Sequence, residues 1–137
     1  MKTIFEKIIA REIPAYIIYE DDLVISFLDI SQITTGHTLV VPKIAYKNLF
    51  ELPENLACHI MKVTVNIANA LKLAFNTDQL NLINNNGSLA GQEVFHFHLH
   101  LIPRYAKEEI IFKHENNFGK ISTETFTHTL QKIKAVL

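Results

Sequence analysis

The chain of 137 residues has a single cysteine, no tryptophan, and only four glycines and four prolines. One cysteine, Cys58, excludes an intrachain disulfide and is typical of proteins from a reducing compartment, so we expect a cytoplasmic location. No segment is rich enough in glycine, proline or repeated sequence to act as a linker. The length is that of one compact unit, and we therefore expect residues 1–137 to form a single domain.

The sequence also lacks net charge and long apolar runs. Thirteen lysines and arginines against fourteen acidic residues leave a formal charge of −1, with no basic block of the kind that binds nucleic acid. Charged residues between Glu6 and Glu12 interrupt the first apolar stretch, so we expect no signal peptide. No other stretch approaches membrane-spanning length, and we expect no membrane partner.

Apolar periodicity predicts three helices and five strands. The helices are expected over residues 3–11, 53–75 and 123–137. The strands are expected over residues 16–19, 23–28, 37–41, 79–83 and 94–104. Hairpin-like strand pairs with one long helix between the third and fourth strands predict an α+β fold with a mostly antiparallel five-stranded sheet. The pattern does not indicate how residues 106–121 are arranged.

The most unusual stretch is VFHFHLHLIPR, at residues 94–104. In a strand, its two-residue period places His96, His98 and His100 on one side. The same period places the apolar residues on the other side, as core: Phe95, Phe97, Leu99 and Leu101. The sequence therefore predicts a strand with one core face and one row of imidazoles.

Three interpretations of the histidine row compete. Buried structural histidines are costly, because each desolvated imidazole needs a hydrogen-bond partner. A metal site that uses all three is disfavoured, because at roughly 3.3 Å per residue the outer pair start about 13 Å apart. A metal site formed by two of these histidines and a ligand from elsewhere in the chain remains an alternative.

The third interpretation is chemistry performed by an imidazole. Histidine is neutral and nucleophilic near pH 7, and it can form a covalent intermediate that water later releases. A neighbouring histidine can then donate to the developing charge. The preceding loop, NNNGSLAGQ at residues 84–92, supports this interpretation, because Gly87 and Gly91 could turn backbone N–H groups inward as an anion-binding nest.

Several motifs together resemble the histidine triad family of nucleotide hydrolases and transferases. His96 to Ile102 follows the family's His-φ-His-φ-His-φ-φ pattern, where φ is apolar. IFEKIIAREIPA near the start, FLDIS at residues 27–31, GHTLVVPK at residues 36–43, and the NNG and AGQ elements of the loop match in order and spacing. The resemblance thus extends over nearly the whole chain.

The resemblance implies a role for each matching residue. His98 would attack the α-phosphorus of a nucleotide and become nucleotidylated, and His100 would bind the phosphate oxygens. His96 and His37 would orient the nucleophile, and Asp29 would accept hydrogen bonds from the ribose hydroxyls. The apolar residues expected to wall the base, for which plain core packing is an equally good interpretation, are Ile4, Phe5, Ile8, Phe27 and Ile30. The residues expected near the phosphate are Asn85, Gly91, Gln92, Glu93 and Val94.

The resemblance further implies a homodimer that needs no cofactor and no catalytic metal. The expected partner is a purine nucleotide such as an AMP conjugate, cleaved at a P–N or P–O–P bond. A nucleoside phosphoramidate hydrolase is the main hypothesis. Two alternatives are a dinucleoside polyphosphate hydrolase and a non-catalytic, regulatory nucleotide-binding protein.

The chain departs from the family pattern at two places. Many bacterial relatives bind a structural zinc through a Cys-x-x-Cys and a histidine after Pro-Lys, together with the first triad histidine. The matching positions here are Thr3, Glu6 and Ala45, so we expect no zinc site. Glu93 stands where phosphoramidate hydrolases usually carry a hydroxyl residue. A carboxylate beside a phosphate repels it, so this departure concerns the leaving group and not the nucleophile.

Overall fold

A five-stranded, wholly antiparallel sheet with the strand order β1-β2-β3-β5-β4 organises the computed structural model, which describes residues 1–137. The strands are β1 Ile17–Glu20, β2 Val24–Leu28, β3 Thr38–Pro42, β4 Leu80–Ile83 and β5 Leu99–Pro103. The helices are α1 Ile4–Ile9, α2 Glu54–Phe75 and α3 Thr123–Lys134. The predicted α+β class, with the long helix between the third and fourth strands, is confirmed.

The fifth strand is shorter than the sequence predicted. It begins at Leu99, so His96 and His98 lie ahead of it. The pairing of β3 with β5 extends only to Val40 opposite Leu99, and the N–H of Phe97 instead donates to the carbonyl of Tyr46 at 2.7 Å. The expectation that Phe95 belongs to the core is wrong, because it is 42% exposed and the Lys47 ammonium lies 5.7 Å from its ring centroid.

One face of the sheet packs against α2. The helix presents buried apolar residues at three- and four-residue steps, which is the stripe that a half-exposed helix requires. The residues of this core are Val24, Val40, Ile60, Val63, Ile67, Leu71, Phe97, Leu99 and Leu101. The apolar side of the histidine segment therefore anchors it to the main core, apart from Phe95.

The opposite face of the sheet carries the histidines and is partly covered by α1. Phe5 and Ile8 of α1 pack on Ile25, Phe27, Leu39 and Val41. A helix of six residues is too short to be stable alone, so this packing and its N-terminal cap hold it in place. The edge of the Phe5 ring meets the His98 ring, with centroids 5.0 Å apart.

The C-terminal segment, residues 111–137, extends away from the sheet and its two cores. Residues 111–137 are all exposed, and α3 presents Phe126, Leu130 and Ile133 to solvent. Apart from one short turn at Lys107–Glu109, residues 106–121 form no regular element. All the helices fall short of the length and apolarity that a membrane crossing requires.

Candidate active site

An open cavity of about 500 Å³ lies beside the histidines, between α1, the loop after β2 and the loop before β5. Ten of its lining residues were predicted from the sequence: Ile4, Phe5, Asp29, His37, Asn85, Gly91, Glu93, Val94, His98 and His100. Three more were missed: Ser31, Ile33 and Leu39. Leu39 could have been found, because it shares the histidine side of β3 with Val41.

His98 is held so that one ring nitrogen, Nε2, has no hydrogen-bond partner in the protein. Its Nδ1 donates to the backbone carbonyl of His96 at 2.7 Å, so the lone pair of the neutral ring is on Nε2. Burial lowers the pKa of His98, although the hydrogen bond to His96 and the charge of Asp29 oppose this effect. At neutral pH the ring is therefore unprotonated at Nε2, which is the state that a nucleophile needs.

His96 is fully buried and does not line the cavity. Its Nε2 donates to the carbonyl of Pro42 at 2.7 Å, which leaves Nδ1 to accept from the hydroxyl of Thr3 at 3.1 Å. Burial lowers the pKa of His96, and the neutral ring satisfies both bonds. His96 thus acts on the site indirectly, by fixing the carbonyl that receives the Nδ1 proton of His98.

His37 and His100 form a hydrogen-bonded pair. The N–H of Ile33 donates to His37 Nδ1 at 3.3 Å, so His37 carries its proton on Nε2 and donates it to His100 Nδ1 at 3.0 Å. His100 then carries its own proton on Nε2 and can donate it to a ligand. Burial, together with the nearby His98 and His37, lowers the pKa of His100 to about 4, so the pair is neutral at pH 7.

Asp29 follows β2 and directs one carboxylate oxygen toward this pair. Its Oδ1 accepts from the backbone N–H of Ser31 at 2.8 Å and from the Ser31 hydroxyl at 2.6 Å. Its Oδ2 lies 3.7 Å from His37 Nε2. Burial raises the pKa of Asp29, but the bonds from Ser31 and the nearby imidazoles outweigh this and hold it below its usual range. An ionised carboxylate therefore lines the cavity.

The loop before β5 is held by internal hydrogen bonds. The Gly87 N–H donates to Gln92 Oε1 at 2.8 Å, and the Gly91 N–H donates to the Ser88 carbonyl at 3.0 Å. These two amides are therefore not available to an anion, and the predicted nest would have to use other N–H groups of the loop. The φ angles of 92° at Gly87 and 85° at Gly91 explain the glycines instead, since other residues rarely adopt them.

Five residues of the predicted site do not line the cavity. Gln92 is buried and donates to the carbonyls of Lys47 and Val94, so it shapes the loop from behind. Ile8 of α1 and Phe27 of β2 are buried in the core between the helix and the sheet, and Ile30 is 87% exposed. His96, as described above, supports His98 from the interior. The apolar wall that the structure forms uses Ile33 and Leu39 in addition to Ile4 and Phe5.

Two groups of side chains occupy positions where a metal could be considered. The possible ligand atoms of Asp29, His37 and His100 lie within 4.8 Å of one another, but His37 Nε2 carries the proton that it donates to His100. The residues at the family's zinc positions do not fit that ion. The Thr3 hydroxyl is already bonded to His96 Nδ1 and to the Glu6 N–H, and Ala45 offers no ligand.

Comparisons with known proteins agree with this geometry. The family model of the HIT domain, the histidine triad domain, matches residues 10–107. The chain belongs to the HIT family. It is 51% identical over 104 residues to the Protein hit of Bacillus subtilis, covering 76% of this chain and 72% of that protein. A crystal structure of a HIT family member from Bacillus subtilis superimposes with a TM-score of 0.94 at 40% identity, over 100% of this chain and 98% of the other.

Two more distant relatives have names that state an activity. An adenosine 5'-monophosphoramidase of Saccharomyces cerevisiae is 40% identical over 101 residues, which cover 74% of this chain and 61% of that protein. An adenylylsulfatase of Arabidopsis thaliana is 39% identical over 105 residues, which cover 77% of this chain and 53% of that protein. The family thus includes hydrolases that act on AMP conjugates.

The Thr3 hydroxyl allows a test of how His96 is held. Thr3→Val keeps the shape of the side chain but removes the cap of α1 and the donor to His96 Nδ1, so we expect a loss of about 1 kcal/mol in unfolding free energy. Long-range ¹H–¹⁵N spectra of the histidine rings should show the His96 Nδ1 resonance shifted by the loss of its donor, while the Pro42 carbonyl keeps the proton on Nε2. Thr3→Ser retains the hydroxyl and should match the wild type in both measurements; equal behaviour of the valine and serine variants would contradict this assignment.

Proposed function

We propose that the protein is a hydrolase that cleaves nucleoside phosphoramidates, or similar conjugates of a nucleoside monophosphate, at the α-phosphate through a nucleotidyl-His98 intermediate. One observation carries the proposal. The bond from His98 Nδ1 to the His96 carbonyl leaves a neutral Nε2 lone pair at a cavity that already contains Asp29 and His100. Family membership and the two relatives named for hydrolysis of AMP conjugates support it.

The proposed reaction has two displacements. His98 Nε2 forms a bond to the α-phosphorus while the P–N bond to the leaving amine breaks, and the amine takes up one proton from water. A water molecule then attacks the same phosphorus and gives up a proton to solvent, which replaces the proton taken by the amine; the P–Nε2 bond breaks, and the nucleoside monophosphate leaves. In both steps the His100 Nε2–H would donate to a non-bridging phosphate oxygen, and this donor is worth most when the charge develops away from bulk water.

The charges around the cavity favour some leaving groups over others. No lysine or arginine lines it, whereas Asp29 and Glu93 both do. A phosphate would therefore be held by neutral N–H donors, and a second anionic group would be repelled. This balance favours an amine leaving group over a second phosphate, and so favours the phosphoramidate hypothesis over a dinucleoside polyphosphate hydrolase.

The covalent intermediate gives the decisive test. Brief exposure to adenosine 5'-phosphoramidate, followed by denaturing mass spectrometry, should show a mass increase of one adenylyl group in a His100→Gln variant, because we expect the loss of a phosphate donor to slow release of the adenylyl group. The same increase should be absent when His98→Gln is added. If the protein turned over diadenosine polyphosphates but not the phosphoramidate, the result would support a dinucleoside polyphosphate hydrolase. The absence of both the mass increase and any turnover would support a regulatory binding protein.

Glu93 tests the choice of leaving group. Glu93→Ser removes the carboxylate, so we expect kcat/KM for a conjugate with an anionic leaving group, such as diadenosine triphosphate, to rise about tenfold, in line with the loss of one like-charge contact of order 1 kcal/mol. The value for adenosine 5'-phosphoramidate should change much less. Glu115→Ser, an exposed position outside the cavity, serves as the control. An equal change for both substrates would contradict a charge effect at Glu93.

We also propose that the protein is a homodimer joined along β4 and α2. The β4 strand is an open edge of the sheet with Leu82 43% exposed, and the outer face of α2 exposes Met61 (47%) and Val65 (52%). Open strand edges and apolar stripes of this kind favour pairing with another chain. A shallow cavity lined by Leu71 and Leu80 shows that α2 and β4 lie side by side, so one partner could cover both.

Sedimentation velocity provides the test of the dimer. The wild type should sediment with twice the protomer mass of 15.7 kDa. The double variant Met61→Glu, Val65→Glu should sediment as a monomer, because two charges in an apolar interface are costly to bury. Lys132→Glu, on the exposed α3, controls for the change in charge. A wild-type monomer, or a dimer that survives the double substitution, would overturn this arrangement.

A further inference from the structure

The loop between β2 and β3, residues 29–37, brings two cavity residues together, Asp29 at its start and His37 at its end. Its two ends are joined by the backbone N–H of Asp29, which donates to the His37 carbonyl at 3.0 Å. The far side of the loop is tied to the C-terminal end of β5 and the residues after it. There the Thr34 hydroxyl donates to the Pro103 carbonyl, at 2.5 Å, and the Tyr105 hydroxyl to the Thr35 carbonyl, at 2.6 Å.

Gln32 lies in the middle of this loop, and both the nitrogen and the oxygen of its side-chain amide form hydrogen bonds to the loop backbone. Its Nε2 donates to the Asp29 carbonyl at 2.6 Å and to the His37 carbonyl at 2.7 Å, and its Oε1 accepts from the Gly36 N–H at 2.9 Å. Its φ of 42° lies in the left-handed region, which a residue with a side chain adopts only at some cost. Gln32 does not line the cavity.

The three side-chain hydrogen bonds of Gln32 determine the direction of the next backbone N–H, that of Ile33. The N–H of Ile33, directly after Gln32, donates to His37 Nδ1. If that amide pointed elsewhere, His37 could carry its proton on Nδ1, and its Nε2 would then accept a proton from His100 Nδ1 instead of donating one. His100 Nε2 would become an acceptor, which faces a phosphate oxygen unfavourably.

We propose that Gln32 is a positioning residue that makes His100 a hydrogen-bond donor toward the ligand, by holding the Ile33 N–H against His37 Nδ1. The effect passes through three hydrogen bonds in series: Ile33 to His37, His37 to His100, and His100 to the phosphate. Only the last bond rests on the proposed function. The first two are properties of the free protein and can be measured without any substrate.

Two variants separate this role from general support of the loop. Gln32→Glu keeps the size of the side chain and the acceptor for Gly36, but it places a carboxylate oxygen against two carbonyls. Gln32→Gly removes the side chain while allowing the left-handed backbone without strain. The bonds of Thr34 and Tyr105 remain in both variants, so the loop keeps its attachment to β5. Gln131→Glu, exposed on α3, is the matched control.

Long-range ¹H–¹⁵N spectra of the histidine rings form the first measurement. The wild type and Gln131→Glu should show His37 and His100 each as a single tautomer protonated at Nε2. Both Gln32 variants should show mixed tautomers at these two rings, with His96 and His98 unchanged. Single Nε2 tautomers in the two folded Gln32 variants would overturn the proposal.

Kinetics with adenosine 5'-phosphoramidate form the second measurement. We expect both Gln32 variants to lower kcat by about tenfold or more, with a smaller change in KM, because a mixed tautomer loses in part a donor whose complete loss costs roughly 100-fold or more. Altered tautomers together with an unimpaired kcat would overturn the catalytic part of the proposal. A wild type that shows the fixed tautomers but no turnover would contradict the proposed function and leave the tautomer control intact.

Discussion

The site depends on one buried acceptor, the carbonyl of Pro42 at the end of β3. The His96 ring donates to it at 2.7 Å inside a fully buried environment, where an unpaired carbonyl or an unpaired imidazole would be costly. This bond fixes the His96 backbone, and the carbonyl of His96 in turn receives the Nδ1 proton of His98. Because the strand pairing of β5 begins only at Leu99, these side-chain bonds take the place of the missing ladder and position the residues ahead of the strand.

The other histidines at the cavity are uncharged as well. Burial lowers the pKa of each of His37, His96, His98 and His100, so the four rings are uncharged at neutral pH. Uncharged rings have defined donors and acceptors, and each ring nitrogen apart from Nε2 of His98 and of His100 has a partner within the protein. Nε2 of His98 carries a lone pair, and Nε2 of His100 carries a hydrogen. The site can thus bring a nucleophile and a donor to one phosphate without any cation.

Much of this could be predicted from the sequence, and the physical reasons differ between features. The α2 helix has apolar residues at regular steps over 22 residues, which local periodicity is enough to reveal. The histidine pattern with its flanking motifs identified the family. The start of β5 could not be predicted, because the alternating pattern continues back to Val94 while the pairing with β3 stops at Val40, and the Phe97 N–H donates to Tyr46 instead. The side-chain period is shared by a strand and by an extended chain, and only the partner distinguishes them.

A related reason explains why some residues of the predicted site do not line the cavity. Ile30 follows Asp29 directly and looks like a candidate for the base wall, but the turn that pairs Asp29 with Ser31 exposes it. Gln32 gave no signal at all in the sequence, since a polar residue in a loop is ordinary, and its role comes from three hydrogen bonds that only the closed loop creates. Gly87 and Gly91 were recognised as special, and their positive φ angles give the loop its turns.

Thr3 and Glu6 hold the start of α1 in place, and both stand at positions where many bacterial relatives carry zinc ligands. The Thr3 hydroxyl accepts from the Glu6 N–H, and the Glu6 carboxylate accepts from the Thr3 N–H, so the two residues cap the helix reciprocally. The proton of the same hydroxyl is directed to His96 Nδ1. One side chain therefore joins the start of the helix to the ring that supports His98. Since Phe5 of that helix touches His98, the N-terminus and the proposed nucleophile form one packed unit, and loosening either should disturb the other.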